Sequence, residues 1–137
     1  MAETVIPMRA FRGMTWTLLT IFALYCLLIL LPYFIFQMNL LSLEAIRSGS
    51  YDPKGYLPFS DTVAGGALYL LGLAIVVFGL PTVAATGGVL ALTLRRHWQQ
   101  FQQEQRLWGI AAVIAAILTL MITVSPLGRM VMVWFLD

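Results

Sequence analysis

Charge is what this sequence lacks most. Of its 137 residues only eight are Lys or Arg and six are Asp or Glu, while 61% are hydrophobic. A soluble domain carries roughly 25% charged residues, enough to cover its outer surface. With 10% here, most of the surface must face something other than water. The formal net charge of +2 is weak, and no basic run is interleaved with aromatics. That excludes a reading as a nucleic-acid binder. One cysteine cannot form an internal disulfide, so cysteine usage is silent about redox compartment. Cys26 lies inside an apolar run, where a thiol behaves as a small hydrophobe.

Motifs of catalysis are missing too. The chain has no GxSxG, HExxH, CxxC, P-loop or Rossmann fingerprint. It also lacks the internal repeat found in many transporters. No charged residue falls in the middle of an apolar run. Intramembrane Asp, Glu, Lys or Arg usually mark ion or proton paths, so a proton-coupled transporter or a voltage sensor is not indicated. No enzyme class is supported, and the expectation is a protein that is not an enzyme.

What is present is long apolar runs. The first is 14–36, "MTWTLLTIFALYCLLILLPYFIF". About 20 apolar residues cross a ~30 Å hydrocarbon core. Arg9 and Arg12 precede the run as in a signal peptide, but it is longer than a signal core and no small-x-small site follows. It reads as a retained first span that Pro32 bends or ends. The second run, 63–94, holds no charge and exceeds the core thickness, with a kink expected at Pro81 after Gly79. The third is 107–124. Ser125-Pro126 then interrupts it, and the tail 125–137 either continues the helix or lies in the interface with Trp134 as anchor.

The fold class expected is therefore all-α, a single membrane domain over 1–137 with three transmembrane helices. An outer loop at 37–62 and a cytoplasmic hairpin at 95–106 connect them. In the outer loop, "NLLSLEAIRSG" reads as a short amphipathic helix and Asp52-Pro53-Lys54-Gly55 as a turn, with Ser60 or Asp61 capping the second span. Glu44, Asp52 and Asp61 read as solvated loop charges and caps.

Orientation follows from basic residues. Arg9, Arg12, Arg95, Arg96 and Arg106 share one side of the membrane; Arg47, Lys54 and Arg129 share the other. Five against three places the N-terminus and the 95–106 hairpin in the cytoplasm and the C-terminus outside. The location expected is a bacterial cytoplasmic (inner) membrane. Trp16, Trp98 and Trp108 then form a cytoplasmic aromatic belt, and Trp134 with Tyr51, Tyr56 and Phe59 an outer one.

The hairpin, "LRRHWQQFQQEQRLW", concentrates the polar residues: the only histidine, five of the six glutamines and two of the four tryptophans. Arg95 and Arg96 fall where headgroup phosphates lie and where a helix C-terminus favours positive charge. His97 has no second His or Cys near it for a metal site. It sits at the membrane edge rather than at mid-span, where an axial cofactor ligand would belong. No cofactor or metal is expected.

The spans carry their own pattern. Gly65, Gly72, Gly79, Thr86 and Thr93 recur every seven residues, which sets five small side chains along one helix face. Ala84/Gly88 and Gly87/Ala91 add small-xxx-small pairs, and Ala111, Ala115, Thr119 and Thr123 step by four along the third span. Helices in lipid associate by close packing at such residues, against each other or against another subunit. The first span is bulky from Phe22 to Phe36 and suits contact with lipid or a pigment.

Three spans are too few to enclose a path, so such a protein acts by assembling. The reading favoured is a non-catalytic accessory subunit of a larger integral membrane complex, for example an energy-transducing, electron-transfer one. Its partners are other membrane subunits and lipids, with no nucleic acid and no soluble small-molecule substrate. The alternative is a homo-oligomeric small pore or holin-like protein, against which stands the absence of a polar stripe on the second span. The topology makes a direct expectation. Cysteines introduced at Gln102 and at Lys54 label with an impermeant thiol reagent from opposite sides of the membrane; labelling of both from one side overturns the three-span arrangement.

Overall fold

A computed structural model gives the fold and describes residues 8–35, 44, 48 and 62–136. It is helical, with no strand among the described residues. Helix α1 (Met8–Tyr25) passes through a π-helical turn, Cys26–Leu30, into α2 (Leu31–Ile35). Helix α3 (Val63–Ala74) passes through a second π turn, Ile75–Gly79, into α4 (Leu80–Arg96). A 3₁₀ turn at Trp98–Gln100 leads to α5 (Gln103–Val124), and α6 (Pro126–Leu136) follows. Three continuous helices, Met8–Ile35, Val63–Arg96 and Gln103–Val124, are long and apolar enough to cross a membrane.

The outer surface is consistent with that reading. Leu27, Leu31, Ile35, Leu70, Val77, Phe78, Ile114, Ile117, Met121 and Val124 are all exposed. A soluble monomer rarely shows contiguous apolar patches beyond a few hundred Å². In hydrocarbon these side chains need no cover, whereas every backbone N–H and C=O must be paired, which only helix or closed barrel achieves.

Pro32 does not end its span, and both Pro32 and Pro81 stand just past a π turn. Proline has no N–H, and its ring presses on the carbonyl four residues back. For Pro32 that carbonyl belongs to Leu28 and for Pro81 to Val77, each inside a π turn. The wider turn makes room, and the helix continues. The Leu31 N–H closes the first π turn on the Cys26 carbonyl. Beside the second, the Thr82 hydroxyl donates to the Phe78 carbonyl at 2.8 Å.

Capping explains the remaining boundaries. Thr62, not Ser60 or Asp61, caps α3: its backbone is extended and its side chain accepts from the Gly65 N–H at 3.1 Å. A hydroxyl three residues before that N–H has the required reach; Ser60 and Asp61 stand too early in the chain. Of the outer loop, the Ser48 N–H donates to the Glu44 carbonyl at 3.0 Å, one helical turn. The rest of the expected amphipathic helix, the Asp52–Gly55 turn, Tyr51, Tyr56 and Phe59 lie outside the described residues.

A break at Ser125-Pro126 separates α5 from the tail helix. Ser125 is extended, with φ −64° and ψ 161°. Its hydroxyl donates to the Ile122 carbonyl at 2.6 Å and accepts from the Gly128 N–H at 3.1 Å. It thus ends α5 and caps α6, with Pro126 at the first helical position, where a missing N–H costs nothing. The apolar part of α5, Leu107–Val124, rises only about 27 Å, a little short of the core. Helix α6 packs against the bundle: Val131 and Phe135 are fully buried among Tyr25, Ile29, Tyr33, Ile75 and Val76.

A second core fills the other end, built from Phe11, Leu18, Val83, Leu90, Leu94, Phe101, Ala112 and Ala116. Phe11 stacks on Phe101, with ring centroids 4.4 Å apart, so the start of α1 and the 97–102 hairpin share one end of the bundle. The break at Ser125 depends on Gly128. A Cβ there would overlap the backbone of Ile122 and Thr123. Gly128→Ala is expected to lower unfolding stability in mixed micelles by about 2 kcal/mol or more. Gly13→Ala, with nothing within 4 Å, should be neutral or stabilising.

Candidate functional site

Two regions carry the non-lipid chemistry of this chain: the small-residue seam and the polar hairpin end.

On the second span, Gly65, Gly72, Gly79 and Thr93 are buried and Thr86 is half-buried. Each seam glycine with a close neighbour accepts something specific. A Cβ on Gly72 would lie 2.6 Å from the ring of Phe135, which also stacks on Tyr69 at 5.4 Å. At Gly79 the neighbour is Ile21, 3.4 Å away, and at Gly87 it is the Ala116 Cβ at 3.0 Å. The seam therefore faces α6 above the π turn and α1 and α5 below it. Ala84 and Gly88 point outward, and nothing lies within 4 Å of a Cβ at Gly88. Ala91 is half-buried.

On the third span Ala115 and Thr119 are buried, Thr123 is half-buried and Ala111 is exposed. A strict step of four drifts about 40° around a helix. The face that packs alternates threes and fours: Gly109, Ala112, Ala116 and Thr119 are buried. Gly109 escaped the small-residue pattern. A Cβ on Gly109 would lie 2.9 Å from the Phe11 ring and 3.1 Å from Leu94. The signal was available as Gly109-x-x-Ala112-x-x-x-Ala116 on the helix that follows the hairpin.

Threonines inside the spans are quenched locally. Thr15, Thr93, Thr119 and Thr123 each donate to the carbonyl four residues back, at 3.0, 2.8, 2.8 and 2.7 Å. The Tyr25 hydroxyl is buried beside Thr123 without a hydrogen bond of good geometry.

The hairpin end gathers all five arginines assigned to one side. Arg9, Arg12, Arg95 and Arg96 are exposed, and Arg106 is half-buried. Arg106 is held twice: its Nε donates to the Phe101 carbonyl at 2.8 Å, and its guanidinium lies 5.0 Å over the Trp98 ring. His97 ends α4. Its N–H donates to the Thr93 carbonyl and its carbonyl accepts from the Gln100 N–H, both at 2.9 Å. The glutamines have a structural task that spacing could have shown. The Gln105 side-chain oxygen accepts from the Gln102 N–H at 3.0 Å, the returning half of a capping box that starts α5.

Trp16 and Trp108 pack 5.8 Å apart and both are half-exposed. They border a cavity of about 300 Å³ between the start of α1 and the start of α5, with Arg12, Gln102, Glu104 and Gln105 in its walls. A second, apolar groove of about 250 Å³ runs between α4 and α5, bounded by Leu94, Trp98, Ile110 and Ile114, with Arg95 among its walls. The Trp134 side chain lies outside the described set.

No catalytic constellation appears among the described residues. No three His, Cys, Asp or Glu side chains converge to hold a metal. Cys26 sits in the first π turn and His97 in the hairpin, so the one thiol and the one imidazole do not cooperate. What the arrangement offers chemically is close helix packing and an end of the bundle that carries exposed arginines and tryptophans. No protein-family model, no curated protein and no solved structure matches this chain.

Proposed function

We propose that this protein is a non-catalytic accessory subunit of a larger integral membrane complex, of which an energy-transducing, electron-transfer assembly in a bacterial cytoplasmic membrane is the example we favour. In this reading the N-terminus and the hairpin are cytoplasmic, and the chain fills a groove between larger subunits and lipid.

One observation carries the proposal: the second span presents small residues on two sides. Its inward side is already filled by Phe135, Ile21 and Ala116. Its outward side still exposes Ala74, Ala84, Ala85 and Gly88. The same span also exposes Leu70, Val77, Phe78, Val89 and Leu92, so the small outward residues form a local patch at Ala84, Ala85 and Gly88. Small residues let another backbone approach closely, and that is how helices associate in lipid. The inward filling also argues against a pore along the seam.

The test is the native mass of the tagged chain, extracted in mild detergent from its own membrane. A discrete large assembly with stoichiometric foreign subunits is expected. A small assembly of this chain alone would replace the reading with the homo-oligomeric one. Two glycines should separate fold from assembly. Gly88→Leu leaves the chain helical but releases it from the complex. Gly72→Leu instead displaces Phe135 and lowers the stability of the chain by about 1–3 kcal/mol.

A further inference from the structure

The cavity at the hairpin end has an unusual charge arrangement. Arg12 on α1 and Glu104 on α5 both line it. Both are exposed, and neither is engaged in an ion pair or hydrogen bond. A cation and an anion that share about 300 Å³ without meeting leave a gap for something that carries both signs.

The other walls sharpen this. Trp16 and Trp108 supply two indole N–H donors with no intramolecular acceptor, and two ring faces. Gln102 and Gln105 have each spent the side-chain oxygen on the other's backbone N–H in the capping box, so both amide N–H₂ groups remain to donate. Arg12, the two tryptophans and the two glutamine amides therefore line the cleft with donors, and the Glu104 carboxylate supplies the free acceptor among them. A guanidinium with neighbouring N–H donors suits a phosphodiester. A carboxylate beside aromatic faces suits an ammonium.

Depth identifies the source. Tryptophans sit at headgroup level. Arg12 is one turn before Trp16, on the water side, and Glu104 one turn before Trp108. Helices α1 and α5 both run away from the hairpin end, so the next turn inward brings Thr20 below Trp16 and Ala111 below Trp108. Both are exposed and small, leaving a shallow track beneath the tryptophans for acyl chains.

We propose that this cleft is a binding site for one phospholipid with a zwitterionic, primary-amine headgroup, its phosphate on Arg12 and its ammonium on Glu104. A primary ammonium offers N–H donors to the two oxygens of the Glu104 carboxylate, which a quaternary ammonium lacks. An anionic headgroup would satisfy Arg12 but leave Glu104 opposite a like or neutral group. The site does not rest on the accessory-subunit reading; it requires only that the hairpin end lies at a membrane surface.

The experiment is native mass spectrometry of the full chain in mild detergent. Phosphatidylethanolamine, phosphatidylcholine and phosphatidylglycerol with identical acyl chains are titrated in competition. One phosphatidylethanolamine should be retained in preference to the other two. Glu104→Gln should reduce its preference over phosphatidylglycerol about fivefold, the size of one exposed charge pair. Arg12→Gln should weaken retention of all three lipids. Arg9→Gln, which removes an equal charge one turn away outside the cleft, should leave the preference unchanged. Circular dichroism confirms that each variant stays helical. Equal retention of the three lipids, preference for phosphatidylglycerol, or a loss of preference with Arg9→Gln as large as with Glu104→Gln would overturn the proposal. Competition by glycerophosphoethanolamine at equal concentration would show a soluble headgroup ligand and overturn the lipid assignment.

Discussion

Lipid chains solvate a leucine as well as another leucine does, so nothing squeezes these helices together. What binds them is dispersion gained where two surfaces approach more closely than lipid could, and that requires a missing side chain at each contact. The structure meets the requirement with glycine opposite a ring or a methyl: Gly72 under Phe135, Gly109 under Phe11, Gly87 against Ala116. The two aromatic insertions anchor opposite ends of the bundle, and the alanine contact lies between them. Helix α6, the hairpin and the start of α1 all take their positions from these three contacts.

The same rule explains why the spans were easily read and the packing only partly. An apolar run without charge announces a helix, because lipid permits almost nothing else. Its ends were also legible, within a few residues, from Arg9, Arg12, Arg95 and Arg96. The heptad of small residues on the second span gave its buried edge at Gly65, Gly72, Gly79 and Thr93. The partners were harder. Phe11 precedes the first apolar run and looks like part of a basic N-terminal segment. Phe135 lies beyond a serine-proline break and looks like an interfacial tail. Both are large residues whose value comes from a glycine distant in sequence, and no local pattern couples them. Thr62 and the Gln102/Gln105 pair were missed for a simpler reason: cap residues are chosen by backbone geometry, and several candidates stood next to each other.

The polar end shows a division of labour within one short stretch. Arg106, His97, Gln102 and Gln105 are occupied in shaping the reversal between α4 and α5. Arg9, Arg12, Arg95, Arg96 and Glu104 are left facing outward. The first group holds the backbone of the reversal; the second is left for contacts beyond the chain. A cluster of glutamines and tryptophans around the one histidine thus need not be a reaction centre. The side chains of Gln102, Gln105 and Arg106 serve the backbone of the reversal itself.

Each of the two π turns holds one residue more than an α-helical turn would. In a plain apolar helix such a surplus residue can migrate, because the neighbouring turn can widen as the first one closes. Pro32 and Pro81 deny it that freedom, since closing the turn would drive each ring into the carbonyl behind it. The prolines therefore act as pins that fix where along the helix the surplus is stored. Were Pro81 replaced, the surplus in Ile75–Gly79 could slide toward α3, turning the Gly72 face by about 100°, one residue's worth of helix. The glycine would leave Phe135 while the helix kept every hydrogen bond. Helical content alone would not reveal such a slip; it would be a change of phase within an unchanged secondary structure.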